Sequence, residues 1–313
     1  MINLAPLEYF GKALVELGEG NEDLVVLDPD VSPSTKTHYF AERFPDRFLK
    51  VGISEQDMIG IAAGLAASGK VPVACGFAFF TAGRAWDQIA NSVALPNLNV
   101  KIVATHSGLS PYADGGSHQS FGDVALMRVL PNMNVVVPAD AIDTVKALEA
   151  ILRIRGPAYL RLGRGTTPQV HEEDSNFTFG KASLIRDGAD ATIIANGVMV
   201  AVSIEAAGSL AEDGVDVRVV DMHTVKPIDE KSILGAARET GAIVTAEEHS
   251  VLGGLGGAVS EVLSQRIPTP VQMVGISDRF GESSRDYWSL LARHGLTAER
   301  VAEAVHRALE MKG

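Results

Sequence analysis

Short apolar runs alternate with Ala-rich amphipathic stretches along this chain twice over, with one polar interval between the two series. The runs are rich in Val, Ile and Leu and apolar without interruption, as in strands buried on both faces. Strands separated by helices at this spacing form βαβ units and a parallel sheet. The first series predicts strands over 24–30, 47–52, 71–77, 99–106, 134–140 and 157–163, and helices over 5–18, 54–68, 81–94, 120–129 and 140–155. The second predicts strands over 191–197, 215–221, 241–248 and 270–276, and helices over 198–212, 229–240, 254–266 and 297–311. Between them, "RGTTPQVHEEDSNFTFGKASLIRDGAD" is polar, carries Gly and Pro, and reads as a linker. The expected architecture is α/β with two domains, each a mainly parallel sheet flanked by helices: 1–165, a linker over 166–190, and a smaller domain over 191–313.

Composition removes several function classes. The net charge of −12 argues against a nucleic-acid or anionic-membrane surface, which needs clustered Lys and Arg. Cys75 is the single cysteine, so no internal disulfide and no cysteine-based metal site forms. It falls in a predicted buried strand and reads as inert. No charge-free apolar run approaches ~18 residues, and "MINLAPLEYFGKALVEL" lacks a basic and apolar leader pattern. A soluble, cytoplasmic protein in a reducing compartment is the expectation, with no metal ligands of its own.

Five stretches carry polar or aromatic groups where chemistry is expected. In "VGISEQDMIGIAAGLAASGK" a helix apolar on nearly all sides opens with Ser54, Glu55, Gln56 and Asp57. Two readings of Glu55 stand: a first-turn carboxylate in a capping box of Ser54 and Asp57, or a half-buried group that polarises or protonates a ligand atom. In "ATHSGLSPYADGGSHQSFGD", His106, Asp114 and His118 follow a buried strand, where α/β folds place their sites. Their spacing matches no zinc motif. In "GFAFFTAGRAWDQIA", Phe79 and Trp86 read as core, whereas Phe77 and Phe80 at a strand-to-helix turn suit a flat heterocycle. In "LRLGRG", Arg161 or Arg164 either clamps a phosphate or forms an interdomain ion pair. In "EEHSVLGGLGGAV" the strict dinucleotide glycine spacing is absent, so the glycines read as close helix packing without a nucleotide.

Taken together and in order, these segments resemble the C-terminal half of a transketolase. "LDPDVSPS" is similar to the family's first strand-loop and places Asp30 and Ser34. "VGISEQDMIGIAAGLA" resembles the segment of the thiamine-activating glutamate, at Glu55. "FAFFTAGRAWDQI" resembles the aminopyrimidine pocket, at Phe77 and Phe80, and "THSGLSPYADGGSHQ" the substrate loop, at His106, Asp114 and His118. "LRLGR" places Arg164 at a sugar-phosphate site, while "VVDMHTVKPID" and "EEHSVLGGLGGAV" resemble the family's C-terminal domain.

The resemblance implies thiamine diphosphate as cofactor and two-carbon glycolaldehyde transfer from a ketose phosphate to an aldose phosphate. It gives Glu55 the ring nitrogen N1′ of the cofactor, with Phe77, Phe80 and Asp30 also lining it. Asp114 takes the donor hydroxyl, His106 and His118 the reacting region and acceptor phosphate, and Ser34 and Arg164 the phosphate. Two departures shape the expectation. The family's Gly-Asp-Gly motif with its later Asn, which holds the diphosphate and Mg²⁺, is absent; "FGDVAL" continues from Asp123 to Val124. The resemblance therefore implies one subunit of a split enzyme, with a separate N-terminal subunit supplying the Mg²⁺ ligands, and by analogy an α₂β₂ assembly. The family's phosphate-binding Arg is also missing near Leu7 and Glu8 in "APLEYFGKAL". A 1-deoxyxylulose-5-phosphate synthase is the nearest rival, but it predicts an acidic residue at His106. A 2-oxoacid dehydrogenase β subunit lacks the 106–118 loop. A non-catalytic paralogue has no use for Glu55, His106, Asp114 and His118 together.

Overall fold

The computed structural model describes residues 2–312. β1 (Asn3–Leu4) precedes a helix at Pro6–Glu19. The chain then lays down β2 (Leu24–Asp28), β3 (Phe48–Lys50), β4 (Val71–Phe77), β5 (Lys101–Thr105), β6 (Asn134–Val136) and β7 (Ala158–Arg161). β8 (Thr167–Pro168) returns to pair antiparallel with β1. The second series is β9 (Ser183–Arg186), β10 (Ala191–Ala195), β11 (Val217–Asp221), β12 (Thr224–Lys226), β13 (Ile243–Ser250) and β14 (Val271–Ile276).

Two large sheets result, ordered β12-β6-β7-β5-β4-β2-β3 and β14-β13-β10-β11-β9. Neighbouring strands run parallel except β12 on β6 and β9 on β11. Every residue of β2, β5, β7 and β10 is buried, which is why these runs are continuously apolar rather than alternating. Helices close both faces. Pro6–Glu19 turns Leu7, Phe10 and Leu14 inward at helical spacing; its Pro6 sits in the first turn, where a missing N–H costs nothing.

The structure departs from the sequence expectation in identifiable places. The stretch 166–190 is not all linker: β8 ties it to the N-terminus and β9 forms an edge of the second sheet. The domains also interlock, because β12, from beyond that stretch, joins the first sheet. The expected helix 81–94 is two wider π turns, Phe79–Arg84 and Ile89–Ala94, around Trp86–Gln88. Phe79 consequently stands 42 % exposed rather than in the core, and Trp86 is only partly buried, its Nε1 donating to the Leu126 carbonyl. The helix expected at 120–129 is shortened to Asp123–Arg128, because Ser120 pairs with Gly108 in an isolated bridge. The strand expected over 134–140 stops at Val136; Val137 N–H turns to the His223 carbonyl.

Candidate active site

The helix Glu55–Ala67 starts just after β3, through a turn in which Gly52 takes a φ of 74°, a conformation glycine adopts without steric cost. Ser54 does not cap it: its hydroxyl donates to the Val51 carbonyl at 2.8 Å, so the expected capping box is not formed. Glu55 is buried at this uncapped end, with 5 % of its side chain exposed. Its Oε2 accepts a 2.6 Å hydrogen bond from Arg84 Nη1. Arg84 is itself half-exposed, and its guanidinium lies 4.9 Å over the Phe80 ring. Arg84 can turn back to water, but Glu55 is buried and needs a replacement donor if it does, so this contact suits exchange for a ligand group rather than simple loss. One face of the helix buries Met58, Ile59, Ala62 and Ala63, while Gly60 and Gly64 face open space. The helix is apolar on nearly all sides, yet only one of those sides is covered within this chain.

β4 and β5 end side by side, with Phe77 opposite Thr105. Phe77 then meets the residue just after Thr105: the Phe77 and His106 rings stack with centroids 4.0 Å apart. His106 is a non-glycine residue at φ 55°, the kind of backbone strain that concentrates at functional sites. Its Nδ1 lies 3.0 Å from Thr105 Oγ1. Burial, then the positive charge of Arg164 and His118, pushes its pKa down to about 3. His106 is therefore a neutral imidazole at neutral pH. The unfolded chain binds a proton here that the folded chain refuses, so this residue's contribution to stability falls as pH drops from ~6.5 towards 3. NMR of the imidazole nitrogens should show His106 uncharged from pH 5 to 8, on the order of the range its shift spans. His118, partly buried, sits edge-on to Phe80 at 5.2 Å and shares a 3.0 Å contact with Ser117.

A cavity of about 300 Å³ opens beside this cluster, lined by Glu8, Ser34, Lys36, His106 and Arg164 among others. The loop bearing Ser34 is pinned by buried Asp28, which accepts from Val31 N–H at 2.6 Å and from the Thr35 and Thr37 hydroxyls at 2.8 Å. Lys36 supplies a cation near the position where the family arginine is missing, paired with Glu8 at 2.7 Å. Arg164 reaches Asp114 at 2.9 Å. Two other candidates stand apart. Asp30 faces solvent and pairs with Lys50 at 3.1 Å. Arg161 is buried, bonded to Asp123 at 2.8 Å and to the Glu248 carbonyl of the second domain, so it has no free face for a phosphate.

The second domain braces the loop that carries Asp114 and His118. Ser284 N–H donates to the Tyr112 carbonyl, Gln119 Nε2 to the Glu282 carbonyl, and Leu109 N–H to Glu248 Oε1. Burial pushes the Glu248 carboxyl up to about 7 against the pull of Arg161. Gly116 packs so closely that an added methyl would stand 2.6 Å from the Gly281 carbonyl. Gly116→Ala should therefore destabilise the chain by ~1–3 kcal/mol, read as a lowered Tm.

Sequence reasoning overlooked Arg84 and Lys36. Arg84 is the single cation of "GFAFFTAGRAWDQIA", and that isolation is the signal. In "EEHSVLGGLGGAV", Glu247 fills the amide end of the helix Leu255–Arg266 with its own carboxylate, accepting from Leu255 and Gly256 N–H. Gly254 permits that approach, and Gly256 lets the helix pack closely on Thr245 and Met273, the close-packing role expected of these glycines. Cys75 is fully buried, which pushes its thiol up and away from reactivity. No helix among the described residues is long and apolar enough to cross a membrane.

The transketolase pyrimidine-binding domain family matches residues 4–169, and the transketolase C-terminal domain family matches residues 180–301. The chain belongs to the transketolase family. It is 43 % identical over 300 residues to a 6-deoxy-6-sulfo-D-fructose transketolase subunit of Clostridium sp., covering 96 % of this chain and 92 % of that one. It is 40 % identical over 295 residues to an apulose-4-phosphate transketolase subunit of Phocaeicola vulgatus, covering 94 % of each. Among solved structures, a split-gene transketolase in an inactive β4 tetramer superimposes with a TM-score of 0.92, at 51 % identity and over the whole of both chains. The split-subunit architecture expected of this transketolase chain is thus that of its relatives.

Proposed function

We propose that this chain is the C-terminal subunit of a thiamine diphosphate-dependent transketolase, moving a two-carbon glycolaldehyde unit from a ketose phosphate to an aldose phosphate. The observation that carries the reading is a buried carboxylate, Glu55, at the end of a helix whose outer face is open, linked through Arg84 to the Phe80 ring and, edge-on to it, His118, while Phe77 and His106 stack on one another at the end of the neighbouring strands. That setting fits an aminopyrimidine ring: an acceptor shielded from water, a flat aromatic wall, and a pairing partner in Arg84 that can leave. Glu55 holds a proton at ring N1′, and Phe77 and Phe80 exclude water from the ring. When bound, thiamine diphosphate supplies the nucleophilic carbon and electron sink for two-carbon transfer. His106, neutral and fixed by its stack on Phe77, can donate or accept at a sugar oxygen. Asp114 and His118 orient the donor, and Ser34, Lys36 and Arg164 hold phosphate at the mouth of the cavity.

The charged end of the cofactor finds no match here. The sequence has no Gly-Asp-Gly motif, so the diphosphate and Mg²⁺ are assigned to a partner subunit carrying Gly-Asp-Gly and its Asn, in an α₂β₂ assembly. The open glycine face of Glu55–Ala67 and exposed Ile53 are the surface such a partner would cover. The test is turnover of a ketose phosphate and an aldose phosphate with cofactor and Mg²⁺. No turnover is expected from this chain alone, and turnover on mixing with the partner. Appreciable activity of the chain alone would remove the split-site reading, and turnover of pyruvate in place of the ketose phosphate would favour the synthase.

A further inference from the structure

Asp143, His171 and Asp221 reach one point from three parts of the fold. Asp143 lies in the first turn of the helix Ala141–Arg153, His171 follows β8, and Asp221 ends β11. All three are buried, and one ligand atom from each lies within 4.8 Å of the other two. Neither carboxylate oxygen of Asp221 has a hydrogen-bond partner, and neither ring nitrogen of His171 has one. Asp221 is fully shielded from water, so among the described residues its carboxyl finds no hydrogen-bond partner to replace the solvent it lost.

Three carboxyl groups, Asp140, Asp143 and Asp221, surround the one imidazole of His171. His171 Nε2 is 3.4 Å from Asp221 Oδ2, longer than a hydrogen bond. Two ligands of a tetrahedral ion with bonds of ~2.1 Å stand about that far apart. On the opposite side of the ring, His171 Nδ1 faces Asp140 Oδ2 at 3.5 Å, the carboxylate-behind-imidazole arrangement that orients a metal-bound histidine. Asp140 is itself held by Asp143, Val170 and His171 N–H groups. Asp143 spends Oδ2 on Ala139 N–H, which leaves its other oxygen for an ion. A cavity of about 520 Å³ lined by His171, Glu172, Asp174 and Ser175 brings solvent up to the His171 end of the cluster.

The geometry points to a divalent-cation site of the zinc class, with Asp143, His171 and Asp221 as ligands and water completing the tetrahedron. The ion clips the first domain, the connecting segment and the second domain together.

The test strips the purified full chain with a chelator, adds zinc alone, and desalts it. About one zinc per chain should remain, and Tm should be higher in zinc than in chelator. Cobalt(II) in place of zinc should give the intense visible bands of tetrahedral coordination. His171→Gln and the near-isosteric Asp221→Asn should each weaken zinc binding at least ~10-fold. Wild-type chain that keeps no more zinc than these variants, or melts at the same temperature in zinc and chelator, overturns the site. Should a variant fail to fold, the stoichiometry and cobalt spectrum of the wild type decide the matter alone.

Discussion

Glu55→Gln in the two-chain complex is expected to lower kcat by ~10²–10⁴-fold, the usual worth of a positioned proton-transfer group. That is ~2.7–5.5 kcal/mol of barrier. Stability should hardly change. The variant loses one ion pair whose other member, Arg84, is half in solvent, a contact worth ~0–1 kcal/mol. The helix start does not depend on Glu55 for a side-chain cap, since none is formed there. Steady-state kinetics and thermal melting on the same preparations check both halves. A kcat within ~10-fold of wild type, or ~1.4 kcal/mol, would reduce Glu55 to a carboxylate sitting near a helix dipole. Arg84→Ala separates the two roles further. If Arg84 only occupies Glu55 until the cofactor ring arrives, its loss leaves kcat unchanged within ~3-fold, in keeping with the small worth of a half-exposed pair.

The long apolar strands were legible because burial on both faces writes itself into sequence. β2, β4, β5, β10 and β13 each have enough consecutive apolar residues to announce a central strand. β8, β9 and β12 have two to four residues each and no period to detect, so the antiparallel edges and the interlocking of the domains stayed hidden. The π turns around Trp86 were equally silent, since a wider turn leaves the apolar composition unchanged while moving Phe79 to the surface. At the candidate site, His106, Ser34 and Arg164 come together on one cavity, because the loops after β2, β5 and β7 share the carboxyl edge of one sheet. Which distant segments meet carried no local signal, even where a residue such as Arg84 stood out. Arg84 on Glu55, Ser284 on Tyr112 and the Asp143–His171–Asp221 cluster each depend on tertiary placement alone.

Asp123→Ala should be the most damaging single change to the fold, costing about 3–5 kcal/mol. Asp123 is fully buried, and its Oδ2 accepts from Arg161 Nε and the Tyr159 hydroxyl, both at 2.8 Å. Burial is the largest single influence and pushes its carboxyl up, but Arg161, His249 and the Tyr159 hydroxyl together outweigh it and hold the pKa below the usual carboxylate range. This contribution is therefore complete above ~3.9, the unfolded value, and is lost only as pH falls through the lower folded value. Removing the carboxylate strands a guanidinium that is 4 % exposed, and Arg161 cannot shed its charge. Arg161 also donates to the Ser120 and Glu248 carbonyls, so the damage extends to the loop before Asp123 and to the seam with the second domain. Urea unfolding should show the loss in midpoint, and hydrogen exchange should show faster opening at Leu109 and Ser250, whose amides bond across that seam. The double variant Asp123→Leu with Arg161→Met removes both charges and keeps the volume filled. It should recover most of the loss, because a buried pair contributes little net stability over an apolar replacement. A double variant as unstable as Asp123→Ala would mean that the backbone bonds made by Arg161, rather than the ion pair, hold the two domains together.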